Sequence, residues 1–396
     1  MPDTVVDLLC DLIAIPSVNP MGRDMDGPEC FETRLSQYLV SFFADLGVPH
    51  ESIEVVPGRS NVVARFEPAN AQLDLILDAH QDTVPVDGMT IPPFEPQVRD
   101  GRVYGRGACD VKGGMAAMLW AFRRLVVEQP AGAANVIMSC TCDEEATTMG
   151  ITDLAGYWTN PGRSQLITTR PDCAIIAEPT ELDVVVAHRG ATRFCIRTSG
   201  RACHSSDPTQ GVNAIYRMAR VLDCLEEYAA TLCDKVAPHP LCGPATLSVG
   251  RIYGGASVNV VPDDCAIEID RRVIPGEDPD AAIVDLREFL SSRLDFEVTF
   301  EPPWLDGVTL SDAGNAWLSD SLLKHIAEVD GPHSAVGVPY GTHASRTDNA
   351  GVPSVVFGPG SIAQAHTKDE WLDIDQLEKA AEVYYRVCCN PPEFSS

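Results

Sequence analysis

Four short aliphatic runs constrain this chain more than any other feature: Leu73 to Ala79 (LDLILDA), Asn135 to Cys142 (NVIMSCTC), Cys173 to Ala177 (CAIIA) and Ser354 to Phe357 (SVVF). They are short, rich in branched side chains and bounded by polar or Gly/Pro residues, as strands covered on both faces should be. Segments with helical spacing accompany them. Thr4 to Ile15 stops before Pro16, about Glu29 to Leu46 ends at Gly47, and Met115 to Val127 lies between the first two runs. Such alternation predicts an α/β fold with a mixed sheet flanked by helices.

The rhythm changes from about Ala191. The pattern becomes strand (Thr192 to Thr198), helix (Val212 to Tyr228), strand (Thr246 to Ile252), strand (Cys265 to Val273), helix (Asp280 to Leu290) and strand (Phe296 to Phe300). This βαββαβ order is the ferredoxin-like, split pattern of a two-layer sandwich. At 396 residues the chain exceeds one ordinary core. Two domains are expected: a discontinuous one over residues 1–186 and 302–396, and one inserted over residues 187–301.

Charge and composition exclude several partners. The formal charge is −28, which repels phosphates, so no nucleic-acid partner is expected. No stretch nears the roughly 20 continuous apolar residues of a membrane span. The N-terminus MPDTVVDLLC lacks a basic n-region and no small-residue cleavage site follows, so the expected location is the cytoplasm, with no membrane partner. The 14 cysteines are scattered, several sit in apolar runs, and none forms a CxxC pair. They read as reduced, buried small hydrophobes, and the neighbouring Asp110 explains the loop of Cys109 better than a nucleophilic thiol does.

In open α/β sheets ligands bind beyond the carboxyl ends of the strands. The first run delivers His80 with Gln81 and Asp82, and the second delivers Asp143, Glu144 and Glu145. The third delivers Glu178, and the fourth leads through Gly358-Pro359-Gly360 to His366. Asp110 precedes the Met115 to Val127 helix, whose N-terminus favours a carboxylate. Any one of these is an ordinary surface or capping residue; their joint occurrence at several strand ends points to chemistry. Imidazole with carboxylate suits zinc and similar divalent ions. A shared carboxylate such as Asp110 can bridge two ions roughly 3.5 Å apart. Asp82 stands where its carboxylate would accept the free ring N–H of His80. Glu144 and Glu145 are adjacent and diverge, so one can bind metal while the other faces water. Nucleotide and zinc-protease motifs are absent: Asp110 replaces the third glycine after Gly105-x-Gly107, and there is neither GxxxxGK[ST] nor HExxH.

The segments DAHQDTVP (78–85), GRGACDVKGG (105–114), CDEE (142–145), AEPT (177–180) and GPGSIAQAHTKDEW (358–371) resemble, in order, the signatures of the M20 metallopeptidases. In the inserted region, GRACHSSDPTQGVNAI (200–215) and NVVPDDCAIEIDRRVIPGE (259–277) are similar to the acetylornithine deacetylase and succinyl-diaminopimelate desuccinylase branch. The likeness covers essentially the whole chain. It implies one metal held by His80, Asp110 and Glu178 and another by Asp110, Glu145 and His366, the two divalent ions being zinc first, with cobalt as the alternative. It implies Glu144 as general base, Asp82 as the residue that orients His80, and a catalytic domain (1–186 and 302–396) carrying a lid and dimerisation domain (187–301). His204 resembles the family histidine that reaches the site of a partner subunit, which implies a homodimer through the lid. Arg272 and Asn259 resemble the residues that grip a substrate carboxylate. His188 is a further candidate for the cleft, and His50, His239, His325 and His333 read as surface residues.

The function implied is metal-dependent hydrolysis of the amide of a small N-acyl amino acid or peptide, with an acetylornithine deacetylase of arginine biosynthesis as the nearest case. A desuccinylase, dipeptidase or aminoacylase is the alternative within the family. A silent relative serving as a binding module is the contrary class, and the six intact positions stand against it. Many relatives carry Thr-Asp-Ala and then a Ser-His or Gly-His pair before the GPG turn. Here the loop reads Tyr340-Gly341-Thr342-His343-Ala344-Ser345-Arg346, so His343 and Arg346 are expected to change the charge near the substrate pocket.

Overall fold

The computed structural model describes residues 1–25 and 27–392. The four aliphatic runs form the strands Asp74–His80, Asn135–Thr141, Cys173–Ile176 and Ser354–Val356. They lie side by side in an eight-stranded sheet, with Asp74–His80 between Asn135–Thr141 and Cys173–Ile176, and Ser354–Val356 next; each of these pairs is parallel. Arg59–Phe66 and His50–Val56 extend one side in antiparallel fashion, and Val184–His188 joins Ser354–Val356 antiparallel on the other. The sheet is therefore mixed. Its parallel centre is almost wholly buried, because the helices Val5–Ile13, Thr33–Leu46, Lys112–Glu128, Ala316–Val329 and Ile374–Cys389 share one apolar core with it. Register pairs His80 with Thr141 and Asp78 with Ile176, so these strands end at one rim.

Local chemistry sets the helix ends. Val5–Ile13 opens on a capping box in which the Thr4 hydroxyl accepts the Asp7 N–H and the Asp7 carboxylate accepts the Thr4 N–H. The helix expected from about Glu29 starts only at Thr33, because Phe31 takes φ 64°, a left-handed conformation no α-helix allows. It stops at Gly47, whose φ of 69° closes it.

Lys112–Glu128 begins earlier than its apolar spacing suggests, and two glycines make that possible. A Cβ on Gly113 would lie 2.3 Å from Leu372 Cδ2 and 2.4 Å from the Ala108 carbonyl oxygen; one on Gly114 would lie 2.8 Å from Ala177 Cβ. Without side chains, the first turn of this helix rests against the end of the Cys173–Ile176 strand. Asp110, just before the helix, and Glu178, just after the strand, are thereby drawn together.

The chain divides into two compact units, residues 1–186 with 311–336 and 342–396, and residues 187–310 with 337–341. The second follows the expected βαββαβ order: Gly190–Ser199, Ala214–Lys235, Thr246–Gly254, Asp264–Val273, Pro279–Arg293 and Val298–Phe300. Its strands run Thr246–Gly254, Asp264–Val273, Gly190–Ser199, Val298–Phe300, antiparallel throughout. Met218, Leu225, Leu286 and Leu290 of the two helices share a core with Phe194, Ile196 and Ile267 of the sheet.

Among the described residues no helix is long and apolar enough to cross a membrane. Eight of the 14 cysteines, Cys109 included, are buried.

Gly113→Ala tests the close approach. Alanine is worth up to about 1 kcal/mol more than glycine inside a helix, whereas a methyl against the Ala108 carbonyl should cost about 1–3 kcal/mol. A net loss in urea denaturation is expected; a midpoint equal to or above wild type would show that the turn has slack.

Candidate metal centre

Two overlapping triads stand at the rim. One ligand atom each of His80, Asp110 and Glu178 lie within 4.8 Å of one another, and the same holds for Asp110, Glu145 and His366. Asp110 belongs to both. Its Oδ1 is 3.1 Å from His80 Nε2 and its Oδ2 is 3.3 Å from His366 Nε2. One carboxylate thus presents each oxygen to a different histidine, the arrangement that bridges two cations. His366 Nε2 also lies 3.2 Å from Glu145 Oε2, while Glu145 Oε1 is buried with no hydrogen-bond partner.

The backbone explains the convergence. His80 ends its strand, and the Gln81 side-chain amide donates to the carbonyls of Ser60 and Cys140, which ties that strand end to the adjacent Asn135–Thr141 strand and to Arg59–Phe66 beyond it. Asp143 takes φ 61° and turns the chain just before Glu144 and Glu145. His366 also has a left-handed φ of 61°, and its side chain is 52% exposed, unlike the buried His80, Asp110 and Glu178.

Asp82 meets the His80 ring through its main-chain carbonyl, where its carboxylate was expected. His80 Nδ1 is 2.9 Å from the Asp82 main-chain carbonyl and 3.6 Å from its carboxylate, beyond hydrogen-bond length. A carbonyl only accepts, so Nδ1 carries the proton and Nε2 is left to face Asp110. The Asp82 carboxylate instead accepts the N–H groups of Glu144 (3.0 Å) and Glu145 (3.1 Å) and the amide of Asn19 (2.8 Å). Asn19 also donates to Asp143, which pairs with Arg59 at 2.6 Å; Arg59 Nε in turn donates to Glu32 at 2.9 Å. This buried network holds the loop that carries Glu144 and Glu145.

His343, expected near the substrate pocket, lies next to His80. It is 1% exposed, with Nδ1 3.0 Å from Asp78 Oδ2 and 3.2 Å from Thr141 Oγ1, and its ring stands edge-on to that of His80. It packs beside the first triad, its ring held by a carboxylate within the protein. Arg346 lies on the short helix Ala344–Asn349, half-buried. His188 is fully buried, and His325, expected on the surface, is buried with Nε2 3.3 Å from the Asn390 carbonyl. His50, His239 and His333 are partly exposed.

In the second unit His204 is exposed, with Nδ1 2.8 Å from Ser206 Oγ. The Ser205 N–H donates to the Asn259 carbonyl at 3.0 Å, so the loops of His204 and Asn259 are joined. Arg272 lies on the Asp264–Val273 strand, and its Nε donates to Asp270 at 2.6 Å.

The electrostatics match a cation site. Burial, opposed by His80 and reinforced by neighbouring carboxylates, pushes Glu144 up to about 8. Burial and Asp110 push Glu145 up to about 7, and burial with Asp110 and Glu144 raises Glu178 well above the usual carboxylate range. Burial alone would pull His80 down, but Asp110 and Asp82 outweigh it and hold the ring well above its ordinary value. Asp110 and Glu145 push His366 up to about 10. Protons balance the acids here, and a dication would reverse the local field. Two imidazoles, three carboxylates and an unpartnered Glu145 oxygen fit zinc or a similar ion.

The sequence profile of peptidase family M20/M25/M40 matches residues 76–390. The chain belongs to that family. This M20 chain is 32% identical over 399 residues to a protein of Pectobacterium carotovorum named acetylornithine deacetylase, covering 96% of each. An M20 family metallo-carboxypeptidase of Sulfolobus solfataricus, Sso-CP2, shares its fold with a TM-score of 0.77 at 18% identity, covering 98% of this chain and 99% of that one. The YXEP protein of Bacillus subtilis, a dinuclear metal-binding M20 peptidase, does so with a TM-score of 0.68 at 16% identity, covering 98% and 97%. The M20 chain is an enzyme, a metal-dependent hydrolase of amide bonds.

Sequence reasoning missed Asn19, Arg59, Asp78 and Glu370 around this centre. Asp78 and Glu370 carried a signal: a charge inside or beside a buried strand needs a partner from elsewhere in the chain.

Metal uptake should release protons. The raised histidines are protonated at neutral pH and must lose that proton to bind metal. Calorimetry at about pH 7 in buffers of different ionisation enthalpy should show release of at least two protons as the site fills, those of the two histidines with a further share from Glu178 and Glu145, and affinity should rise as pH rises. Uptake without proton release would contradict the protonated, metal-free centre.

Proposed function

We propose that this chain removes the acyl group from an N-acyl amino acid, with N-acetylornithine, and so arginine biosynthesis in the cytoplasm, as the nearest case. Two divalent ions, zinc first with cobalt as the alternative, would be held by His80, Asp110 and Glu178 and by Asp110, Glu145 and His366. The observation that carries this reading is the Asp110 carboxylate, whose two oxygens face two histidines in two triads. The 32% identity to proteins named acetylornithine deacetylase supports an acyl amino acid over a peptide.

Bound there, divalent ions lower the pKa of water toward about 7 and polarise an amide carbonyl. Glu144 takes the proton of the attacking water and returns it to the leaving amine. Asp82, through its bonds to the Glu144 and Glu145 N–H groups, keeps base and ligand at fixed separation. Asn259 and Arg272 anchor a substrate carboxylate, Arg272 by exchanging its bond to Asp270.

We also propose a homodimer in which His204 of one chain stabilises the developing oxyanion at the site of the other. The edge strand Thr246–Gly254 supports it, being unpaired on one side among the described residues, with Ile252 and Tyr253 exposed and Ile215 beside Gly254. Such an edge is a template for pairing with a second copy.

Assayed with zinc or cobalt, N-acetylornithine should exceed N-succinyl amino acids and dipeptides by at least about tenfold in kcat/KM, and Glu144→Ala should abolish that turnover while keeping its metal. Equal turnover of the rivals would move the substrate assignment, and Glu144→Ala activity within about tenfold of wild type would remove Glu144 as base. His204→Ala should be inactive but metal-replete. Mixing it with Glu144→Ala protein should restore part of the activity, and no recovery would refute action across the dimer.

A further inference from the structure

Glu370 belongs to neither triad, yet its side chain is fully buried and all of its hydrogen-bonding capacity is used. Oε1 accepts the N–H groups of Cys109 and Asp110, both at 2.9 Å. Oε2 accepts the N–H of Gly107 at 3.0 Å and the Arg106 guanidinium at 2.7 Å. Four donors fill a carboxylate's lone-pair sites.

The main chain adds to this. The Glu370 carbonyl accepts the Gly105 N–H at 3.1 Å. Trp371–Asp373 then pairs antiparallel with Arg102–Tyr104, Trp371 opposite Tyr104. The segment that follows His366 is therefore fastened, by side chain and backbone, to the segment that carries Asp110.

We propose that Glu370 is the positioning residue of the second triad, holding Asp110 and His366, from chain segments far apart in sequence, at ligand distance before an ion arrives. The inference rests on the two-ion reading above. Asp110 serves both triads, but His366 serves the second alone, so loosening the clamp acts on one ion more than the other.

The test uses the full-length protein as wild type, Glu370→Gln and Glu370→Asp. Glutamine keeps the shape and one oxygen but turns an amide N–H₂ toward two donors. Cobalt(II) titration followed by visible absorption, with metal content after dialysis, reads the two affinities, and thermal unfolding of the metal-free proteins reads the fold. Wild type should bind two ions. Glu370→Gln should bind one nearly as tightly and the other about 10–100-fold more weakly, the usual size of an outer-shell loss, a split between the two ions that the lower metal-free melting temperature expected from two unmatched buried donors would not by itself produce. Two ions at wild-type affinity, or equal weakening of both in step with a lower metal-free melting temperature, would overturn the inference and leave a plain structural brace. Should Glu370→Gln not fold, Glu370→Asp decides: its shorter carboxylate reaches fewer donors, so selective weakening supports the clamp and unchanged binding refutes it. A wild type that binds fewer than two ions sinks the two-ion reading, and this inference with it.

Discussion

The rim of this sheet depends on keeping Asp110, Glu144, Glu145 and Glu178 together where little water reaches. Like charges repel strongly in such a medium, and a chain left to itself would spread them or protonate them. The second response is visible: Glu144, Glu145 and Glu178 are raised by burial and by their neighbours, and His80 and His366 are raised by the acids beside them. The first is blocked, because the backbone beneath the cluster is fixed at many points.

Those points form two groups. Asp82, Asn19, Asp143, Arg59 and Glu32 make a buried chain of charge-assisted bonds under the loop of Glu144 and Glu145. Such bonds are stronger than neutral ones, and removing one partner would strand a buried charge. On the Asp110 side Lys112 is fully buried, with Nζ donating to the carbonyls of Leu12 and Ile15 at 3.0 and 2.7 Å. Burial pushes its ammonium down to about 7, with Glu370 opposing. The lysine joins the start of its own helix to the end of Val5–Ile13 and is spent on structure, away from the chemistry.

The fold was legible where the chain repeats a local rule. The aliphatic runs, the capping Thr4, the stop at Gly47 and the βαββαβ order all follow from residue type and period. Of the centre, the five side chains at strand ends could be named because a parallel sheet puts its carboxyl ends on one rim. What no period reveals is which atom meets which. Asp82 meets the His80 ring with its main-chain carbonyl while its carboxylate takes two main-chain N–H groups, and His343 lies buried against Asp78, 265 residues away. Both outcomes depend on long-range packing that a local pattern does not encode. Likewise the return segment 337–341, part of the second unit, has the Gly and Pro of a turn and nothing that assigns it to one unit over the other.

The glycine loop from Gly105 to Asp110 curls three main-chain N–H groups round the Glu370 carboxylate. Phosphate-binding loops use the same device to seize an anion from solution. Here the guest is tethered to its host, so a free anion must compete with one whose effective concentration the fold keeps high. A loop that resembles a nucleotide cradle in outline has become an internal receptor, occupied by the protein itself, and its N–H groups are not available to a nucleotide's phosphates.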